Sequence, residues 1–406
     1  MTASDNSKRR AAIAFAALLS GTTLGLAGVD LILPAIPSLP GALGGTATTA
    51  QLTLSAFVAG VAVGILSFGE LGARLDQRRL LVASLAAYAA LSLAAAFAPN
   101  LPALIGLRFL QGASSSAAAV FAPGIIRMLF DEKGAVRAIG LLGSIESLVP
   151  ALAPLVGVWM LSVYGWRSSF FAIAALAGAT ALVITAIAKR LPTAAPPPES
   201  GASYLSLMRS PQFLRYALSQ ACTLGGLLVF VFGAPAVFTG PMEGSLRDFV
   251  ALELCGISFF IVASNITGHL AERFGAERMI FGGSLLAATG ALAILGYGLA
   301  GGGAPLVVII LFVPVNIGLG LRGPPGFYRA IVASNGNDGR ASALVLMAIF
   351  GVTAAGSALA APWVTTGLTP LAAIAAAIST GSLAALQLGG PLPDAKPASE
   401  PSGASL

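Results

Sequence analysis

The sequence predicts an all-α membrane protein with twelve transmembrane helices, arranged as two pseudo-symmetric halves of six helices each. Three observations support this prediction: the composition, the number of apolar segments, and a basic turn that occurs once in each half. The chain has 406 residues, of which 56% are hydrophobic and 9% are charged, and its mean hydropathy is +0.89. Because soluble domains carry about a quarter charged residues, lipid must be the solvent for most of this chain.

Twelve apolar segments are long enough to cross a bilayer, since a membrane-spanning helix needs about 20 residues. Six lie in the first half of the chain, at 11–33, 51–69, 80–98, 102–126, 138–162 and 168–188. The other six lie in the second half, at 213–238, 249–269, 279–300, 304–328, 341–363 and 368–388. Glycine and proline are frequent in these segments, and membrane helices tolerate both better than soluble helices do.

A short polar turn follows the second apolar segment of each half. The first copy runs over residues 69–79 and the second over residues 268–278. When Gly69 is placed on Gly268, Arg74 coincides with Arg273. Because the two copies stand at equivalent places among the apolar segments, they indicate an internal repeat of two homologous halves.

The distribution of lysine and arginine predicts the topology, because these residues concentrate in cytoplasmic loops. With the N-terminus inside, eighteen of the 22 fall on the cytoplasmic side and two on the other. We therefore expect a cytoplasmic N-terminus at 1–10, halves at 11–189 and 213–388, a cytoplasmic linker at 190–212 and a disordered cytoplasmic tail at 389–406. The alanine- and glycine-rich composition is typical of bacteria with GC-rich genomes, which predicts the bacterial inner membrane.

The remaining composition argues against several classes of function. Cys222 and Cys255 lie inside apolar segments and fit neither a disulfide framework nor a metal-binding spacing. A single histidine, His269, excludes a site with several histidine ligands, and we expect neither a metal site nor an enzyme. There is no phosphate-binding glycine loop, so we expect no cofactor and a proton gradient as the energy source. The net charge of +6 follows from the topology, and we expect no nucleic-acid partner.

Three charged residues lie inside predicted spans of the first half: Asp30, Arg108 and Glu146. A charge in hydrocarbon is costly, so each must face a cavity or a partner. Because burial disfavours the charged form of a carboxyl group, we expect Asp30 to load and release a proton beside Arg108. Glu146 would be a second proton site or would bind a cationic substrate. The alternatives are an interfacial anchor for Asp30, a structural ion pair for Arg108 and a neutral, hydrogen-bonded carboxyl group for Glu146.

Polar residues on otherwise apolar helices define a predicted substrate cavity. In span 4, Arg108, Gln111, Gly112 and Ser115 recur at the spacing of one helical face. A structural role is the alternative for each cavity residue. The full set of predicted cavity residues is Gln51, Ser55, Gln111, Ser115, Glu253, Asn316 and Arg322.

With these features in hand, the chain resembles the major facilitator superfamily and, within it, the bicyclomycin/chloramphenicol-resistance type of drug:proton antiporter. The resemblance covers the whole first half and, more weakly, the second. The stretches that carry it are 30–37, 51–57, 69–79, 108–112, 150–157 and 164–167. It implies the major facilitator fold, a monomer, and a role for the fourth-helix arginine in proton transfer. Two such halves rock around a central site to give alternating access.

The resemblance also implies a gating role for the turn, with simple topology anchors as the alternative. The residues concerned are Gly69, Arg74, Arg78, Arg79 and Arg273. In the family, an aspartate in this turn helps to lock the cytoplasmic helix ends in the outward-facing state. Here Ala73 stands at that position, and Asp76 stands where glycine is usual, which puts this lock in doubt.

Pro150, Pro154 and Gly157 form the corresponding helix-5 motif. They are expected to bend helix 5 and bring it close to its neighbour, and the family resemblance implies a seal against leak. Val149 and Val158 replace glycines that are usual in the family motif. Ordinary helix kinks are the alternative.

Two functions fit these residues. The first is proton-coupled efflux of small amphipathic compounds or drugs across the inner membrane, in which protonation of Asp30 or Glu146 competes with substrate. The alternative is an uptake or export carrier for a small polar metabolite or organic anion on the same fold, with Arg108 and Arg322 binding the anion. In either case the partners are a small-molecule substrate and the lipid bilayer, with protons in the first.

Overall fold

A computed structural model describes residues 3–130, 132–146, 148–188, 191, 204–334 and 338–392. The side chains of residues 3–10, 73, 132, 133, 135–137, 139, 140 and 338 lie outside this description. The described residues form helices joined by turns, with no strand among them. Twelve segments in this part of the chain are long and apolar enough to cross a membrane. The predicted all-α fold with twelve spans is therefore confirmed.

Eight helices form the first six spans: α1 (Ala3–Asp30), α2 (Leu39–Leu43), α3 (Ala47–Arg74), α4 (Gln77–Ala96), α5 (Leu101–Leu129), α6 (Glu132–Glu146), α7 (Val149–Tyr164) and α8 (Arg167–Ile187). A 3-10 helix, Leu33–Ser38, joins α1 to α2, so the first span reaches Leu43 instead of ending at residue 33. The fifth span is divided between α6 and α7. Pro150 is the second residue of α7, in the first turn, where its missing N–H costs no hydrogen bond within the helix.

Seven helices follow: α9 (Tyr204–Met208), α10 (Pro211–Thr239), α11 (Leu246–Phe274), α12 (Ala276–Leu299), α13 (Pro305–Val332), α14 (Asp338–Ala360) and α15 (Leu368–Ala385). A 3-10 turn, Ala361–Trp363, follows α14. The predicted linker at 190–212 lies largely outside the described residues, apart from residue 191, α9 and the start of α10. The predicted tail is described only up to residue 392.

Side chains fix the starting points of several spans. Thr46 and Thr49 form a reciprocal capping box at the start of α3, and Ser245 and Asp248 form another at the start of α11. The Asn100 side-chain oxygen accepts a backbone hydrogen bond of 2.9 Å in the first turn of α5. These caps satisfy N–H groups that have no partner inside the helix, so short loops suffice between spans.

Glycines bring α3 and α5 into close contact. A Cβ atom added at Gly60 would collide with the Phe109 carbonyl oxygen, and one at Gly112 would collide with the Phe57 carbonyl oxygen. Helices in lipid associate through such packing, because lipid tails provide no hydrophobic force between helices. The contact holds α5 in a fixed register against α3 and thereby positions Arg108.

The bundle has two ends, which we call the terminal end and the distal end. The terminal end carries the start of α1, the turn at 75–76 and the end of α15, and the distal end carries the loops at 44–46, 97–100, 240–245 and 300–304. The halves meet along α3 and α14, and near the distal end α10 packs against the 3-10 helix at 33–38 and α7 against α11. Among the described residues, α5 and α6 make no comparable contact with α13 or α14.

Candidate functional site

Arg108 on α5 is a fully buried cation with no carboxylate partner among the described residues. Its guanidinium carbon lies 4.1 Å from the centroid of the Phe57 ring and 5.9 Å from that of the Phe170 ring. Nη1 donates to Gln111 Oε1 at 3.4 Å, while Nε and Nη2 have no hydrogen-bond partner. Since a cation over an aromatic face gains about 0.5–2 kcal/mol, the rings provide part of the stabilisation that a carboxylate would otherwise give.

Asp30 is the last residue of α1 and is half-buried. Its side chain forms neither an ion pair nor a hydrogen bond with any described residue, so Asp30, expected beside Arg108, makes no ion pair with it in this structure. The aromatic rings explain the difference. Phe57 covers the guanidinium, and Phe57 and the Tyr88 hydroxyl both lie against Gly28, two residues before Asp30.

The predicted polar face of α5 is buried, as its spacing indicated. Gln111 and Ser115 are 0% and 4% exposed. Gln111 Nε2 donates to Ser92 Oγ at 2.8 Å, and the Ser115 hydroxyl donates to the Gly112 carbonyl at 2.9 Å. Both side chains therefore hold helices together in this conformation, and only Arg108 on this face keeps free donors.

Gln51 joins the two halves near the distal end. Its Nε2 donates to the Phe232 carbonyl at 3.0 Å and to Ser357 Oγ at 3.3 Å. Its Oε1 and the Ser55 hydroxyl one turn further along α3 are buried without a hydrogen-bond partner. Two unsatisfied polar atoms on one helix face are costly inside a low-dielectric interior. This part of the boundary can therefore form hydrogen bonds with a ligand that the protein does not form with itself in this conformation.

Glu146 and the helix-5 motif lie where the fifth span is divided. Glu146 ends α6, is half-buried, and lies beside Thr22 of α1. In α7, a Cβ atom at Gly157 would collide with the Leu31 carbonyl oxygen, which is the close approach expected from the motif. Gly143 of α6 is exposed and has no neighbour near its Cβ position, so the close packing does not extend into α6 at this residue.

In the second half, Glu253 on α11 is 6% exposed. It forms no hydrogen bond or ion pair with a described residue, although the charge of Asp30 acts on it. One turn along α11, Gly256 lies against the Asn316 side chain. The Asn316 amide donates to the Phe312 carbonyl at 3.1 Å, so it is engaged within its own helix.

Arg322 on α13 is fully buried but is well supplied with acceptors. It donates to the Ser219 carbonyl at 3.0 Å, to Ser219 Oγ at 3.1 Å and to Gln220 Oε1 at 2.8 Å. Arg108 lies seven residues into α5 and Arg322 seventeen into α13, both counted from the distal end. At 1.5 Å per residue they differ in depth by about 15 Å. The predicted pairing of these two arginines on one anion is therefore not supported.

The first basic turn ties α4 to the end of α8. Asp76 accepts the Arg78 backbone N–H at 2.9 Å and its Nε at 3.2 Å, and Arg78 Nη1 donates to the Ala188 and Leu191 carbonyls at 3.3 and 3.0 Å. Burial acts to raise the pKa of Asp76, but the hydrogen bonds from Arg78 and the charges of Arg78 and Arg79 outweigh it, and the pKa lies below its ordinary value. The side chain at 73 lies outside the described residues.

The other turn residues differ in their surroundings. Arg74 Nη2 lies 2.5 Å from Glu70 Oε1 on an exposed face, Arg79 is 91% exposed, and Arg273 lies over the Phe274 ring at 5.3 Å. Gly69 lies against the hydroxyl of Tyr204 in α9, 3.4 Å from its Cβ position. Among the predicted gating residues, Gly69 and Arg78 contact distant parts of the chain.

Sequence reasoning missed a second network, at the terminal end of the second half. Glu277 Oε2 pairs with Arg215 Nη2 at 3.1 Å, and Oε1 lies 4.0 Å from Arg329 Nη1. The Tyr216 hydroxyl donates to Glu277 and accepts the Leu392 N–H at 2.8 Å. The available signal was the position of Glu277 inside the second copy of the turn. No cluster of three metal-binding side chains occurs among the described residues.

Comparison with known proteins gives a consistent result. A family model described as Major Facilitator Superfamily matches residues 13–362. The chain is 31% identical over 258 residues to a chloramphenicol resistance protein from Pseudomonas aeruginosa. This match covers 62% of this chain and 61% of that protein. It is 29% identical over 357 residues to the uncharacterized MFS-type transporter YdgK from Bacillus subtilis, covering 84% and 86%. It is 26% identical over 216 residues to the multidrug resistance protein MdtL from Escherichia coli, covering 52% and 54%.

Solved structures share the architecture at low sequence identity. The in meso crystal structure of the POT family transporter PepTSo matches with a TM-score of 0.72 and 12% identity, covering 93% of this chain and 98% of that one. At that level of identity the likeness concerns the fold alone.

Proposed function

This chain belongs to the major facilitator superfamily, and we propose that it exports small amphipathic compounds in exchange for protons. As a member of this family it is a multi-pass membrane protein that transports small molecules, and it is not an enzyme. The export of drug-like compounds is a proposal. It is supported by the relatives named for chloramphenicol and multidrug resistance.

One observation carries the proton-coupled part of the proposal. Asp30 lies within a membrane span, yet no described cation or hydrogen-bond donor compensates its charge. A permanently ionised carboxylate in such a place is costly, whereas a carboxyl group that gains and loses a proton is suited to it. We therefore assign proton loading to Asp30, with Arg108 as a fixed positive charge on α5 and Glu146 as a second carboxyl group.

Transport would proceed by alternating access. We propose that the halves at 11–189 and 213–388 rock about their shared boundary, with Gln51, Ser55, Gln111, Ser115, Glu253, Asn316 and Arg322 around the central path. The hydrogen bonds of Gln51 to Phe232 and Ser357 would hold the distal end closed, so this conformation would be open toward the terminal end. The basic turns and the α7 approach at Gly157 would keep each half rigid while the boundary changes.

The orientation follows from the lysine and arginine distribution. We propose that the terminal end, with both termini, faces the cytoplasm of a bacterial cell and that the protein acts as a monomer in the inner membrane. The conformation described above would then be inward-facing. The gradient would drive protons inward through the protein and substrate outward, with no cofactor.

The test is drug-triggered proton movement in inverted membrane vesicles. Energised vesicles containing a pH-sensitive dye receive chloramphenicol-like compounds and lipophilic cations. We expect a dye response with the wild type that is lost in Asp30→Asn and retained in Glu243→Gln, a matched carboxyl-to-amide change on the exposed distal surface. Retention of the full response in Asp30→Asn would contradict the assignment of Asp30. A folded wild type that responds to no compound would contradict drug efflux.

The alternative, a carrier for a polar metabolite or organic anion, receives less support. It relied on Arg108 and Arg322 acting together, and the Arg322 guanidinium is occupied by Ser219 and Gln220. The same vesicles, tested with organic acids and sugars, measure it directly. Accumulation of an acid that requires both arginines would favour this alternative over efflux.

A further inference from the structure

We propose that Asp30 and Glu253 form a proton-binding pair across the boundary between the halves, and that one proton on this pair stabilises closure of the distal end. Asp30 ends α1 in the first half, and Glu253 lies on α11 in the second. The inference rests on the proposed function, because the closure it describes is one half of the transport cycle. It assigns Glu253 to the proton-dependent closure of the distal end instead of to the substrate cavity.

The burial and isolation of Glu253 are the first step of the argument. Its side chain is more than nine-tenths buried, at 6% exposed. No hydrogen bond or ion pair joins its side chain to a described residue, and the like charge of Asp30 acts on it across the boundary. A buried carboxylate normally requires a cation or several donors. In their absence, a bound proton is the remaining means of compensating the charge.

The packing of α7 connects the end of α1, which carries Asp30, with α11, which carries Glu253. Gly157 of α7 lies directly against the carbonyl oxygen of Leu31, the residue after Asp30. The same helix packs against α11, so α7 touches the end of α1 on one side and the second half on the other. Glu253 is seven residues from the distal start of α11, or about 10 Å along the helix. The pair therefore lies at the level where the halves close.

The other helices around α11 bring no further charge to this level. Helix α7 contains no charged residue. The charged residues of the remaining neighbours, α10, α12 and α13, lie toward the terminal end. They are Arg215, Glu277, Arg278, Arg322 and Arg329. On α11 itself, Arg247 and Asp248 lie in the first turn at the distal surface, and His269, Glu272 and Arg273 lie at the terminal end.

Charged side chains that the structure describes on the helices around α1 are engaged elsewhere. Arg108 faces the Phe57 ring, and Arg167 Nε donates to the Ala96 carbonyl at 3.0 Å. Glu146 lies at the end of α6, and Glu70 and Arg74 of α3 pair with each other at the terminal end. None of these described groups forms an ion pair with Asp30 or Glu253.

A consequence for the conformational equilibrium follows from Coulomb repulsion. Closing the distal end brings two negative charges together in a medium of low dielectric constant, where they repel strongly. One proton removes one charge and with it the repulsion, so the closed state binds that proton more tightly than the open state does. Lowering the pH should favour closure, and raising it should favour opening.

The experiment measures the distance across the distal end without any substrate. Spin labels are placed at Gly41→Cys in the first half and Gly303→Cys in the second, both exposed distal sites with open space at Cβ. Cys222 and Cys255, the free thiols, are replaced by serine. The full chain in lipid nanodiscs is then studied by pulsed electron paramagnetic resonance from mildly acidic to mildly alkaline pH.

We expect the short-distance, closed population of the wild type to fall with rising pH. The closed-to-open ratio should change on the order of tenfold per pH unit within the titration range, because one proton is linked to closure. Glu253→Gln and Asp30→Asn should each remove this dependence and leave the distal end closed at every pH. Glu253→Asp, which keeps the carboxyl group, and Glu243→Gln, which changes an exposed carboxyl group, should retain it.

Two results would overturn the proposal: a wild-type distance that does not depend on pH, or a pH dependence that survives in both amide variants. Because the readout needs no drug, its failure is separable from that of the proposed function. Vesicles that export no compound together with a pH-dependent distance lost in Glu253→Gln would refute efflux and support the pair.

Discussion

The contact between α3 and α5 leads to a quantitative prediction about Gly112. An alanine methyl group at this position would occupy the space of the Phe57 carbonyl oxygen. Carbon atoms and their neighbours prefer separations of about 3.5–4.0 Å, so Gly112→Ala must push the two helices apart by about 1 Å or more. Overpacking of this kind costs about 1–3 kcal/mol. Since packing is what holds helices together in lipid, we expect a corresponding loss of stability.

Gly106 provides a matched control on the same helix, because nothing lies within 4 Å of its Cβ position. Gly106→Ala should be neutral or stabilising, since glycine in a helix is less favourable than alanine by about 0.5–1 kcal/mol. The two single-methyl variants should therefore differ by about 1.5–4 kcal/mol, with Gly112→Ala the less stable.

The native thiols give a direct assay. Cys222 and Cys255 are free and only partly exposed, so a fluorogenic maleimide reacts with them as the protein unfolds in detergent. We expect Gly112→Ala to melt several degrees below the wild type and Gly106→Ala to melt at or above it. If Gly112→Ala melts no lower than Gly106→Ala, the close approach of α3 and α5 is not as described.

A second variant tests whether one helix separation relieves both collisions. Gly60→Ala meets the Phe109 carbonyl in the same interface and should also destabilise. Once the helices have moved apart for one methyl group, the second costs less, so the double variant should lose less than the sum of the single losses. Strict additivity would indicate two independent local distortions instead.

Two further predictions concern the ends of the helices. Asp76→Ala should lower the free energy of unfolding by about 1 kcal/mol near neutral pH, because it removes the N-cap of α4. Asp76→Asn keeps a capping oxygen and loses the charge. Because the pKa of Asp76 in the folded protein is lowered, the ionised carboxylate stabilises the fold at high pH. The difference in stability between Asp76→Asn and the wild type should therefore vanish as the pH falls through that pKa. Melting curves across acidic pH measure both, and a difference that persists in acid would contradict the charge effect. Glu277→Gln should cost about 2 kcal/mol, since it weakens charged hydrogen bonds from Arg215 and Tyr216. In a double-mutant cycle, Arg215→Met should cost much less in the Glu277→Gln background than alone, and equal costs would refute the pairing.

The architecture was readable from the sequence because its signals are local and repeated. Each span is recognisable as about 20 consecutive, mostly apolar residues, and the basic turn follows the second span of each half. The predicted bounds failed where secondary structure changes within an apolar segment. The 3-10 helix at 33–38 prolongs the first span, and the fifth is divided before Val149. The hydropathy of an apolar segment does not distinguish one continuous helix from two consecutive helices.

The candidate site was predicted in its residue types more than in its contacts. The periodicity of Arg108, Gln111 and Ser115 correctly gave a buried face. It could not show that aromatic rings, rather than Asp30, face the guanidinium. Nor could it point to the proposed pairing of Glu253 with Asp30, because that pairing joins residues more than two hundred positions apart. Such pairings depend on how the halves dock, which no local pattern encodes.

The two basic turns perform the same task with different chemistry. In the first half, Arg78 binds the carbonyls of Ala188 and Leu191 just beyond α8. In the second half, Arg215, held by Glu277, binds the carbonyl of Leu386 just beyond α15. In each half, hydrogen bonds from an arginine thus tie the end of the sixth span to another helix of the same half.

Because these hydrogen bonds tie the end of the sixth span to the rest of its half, we expect each half to move as one body. The contacts that then have to change between conformations are those on the boundary between the halves.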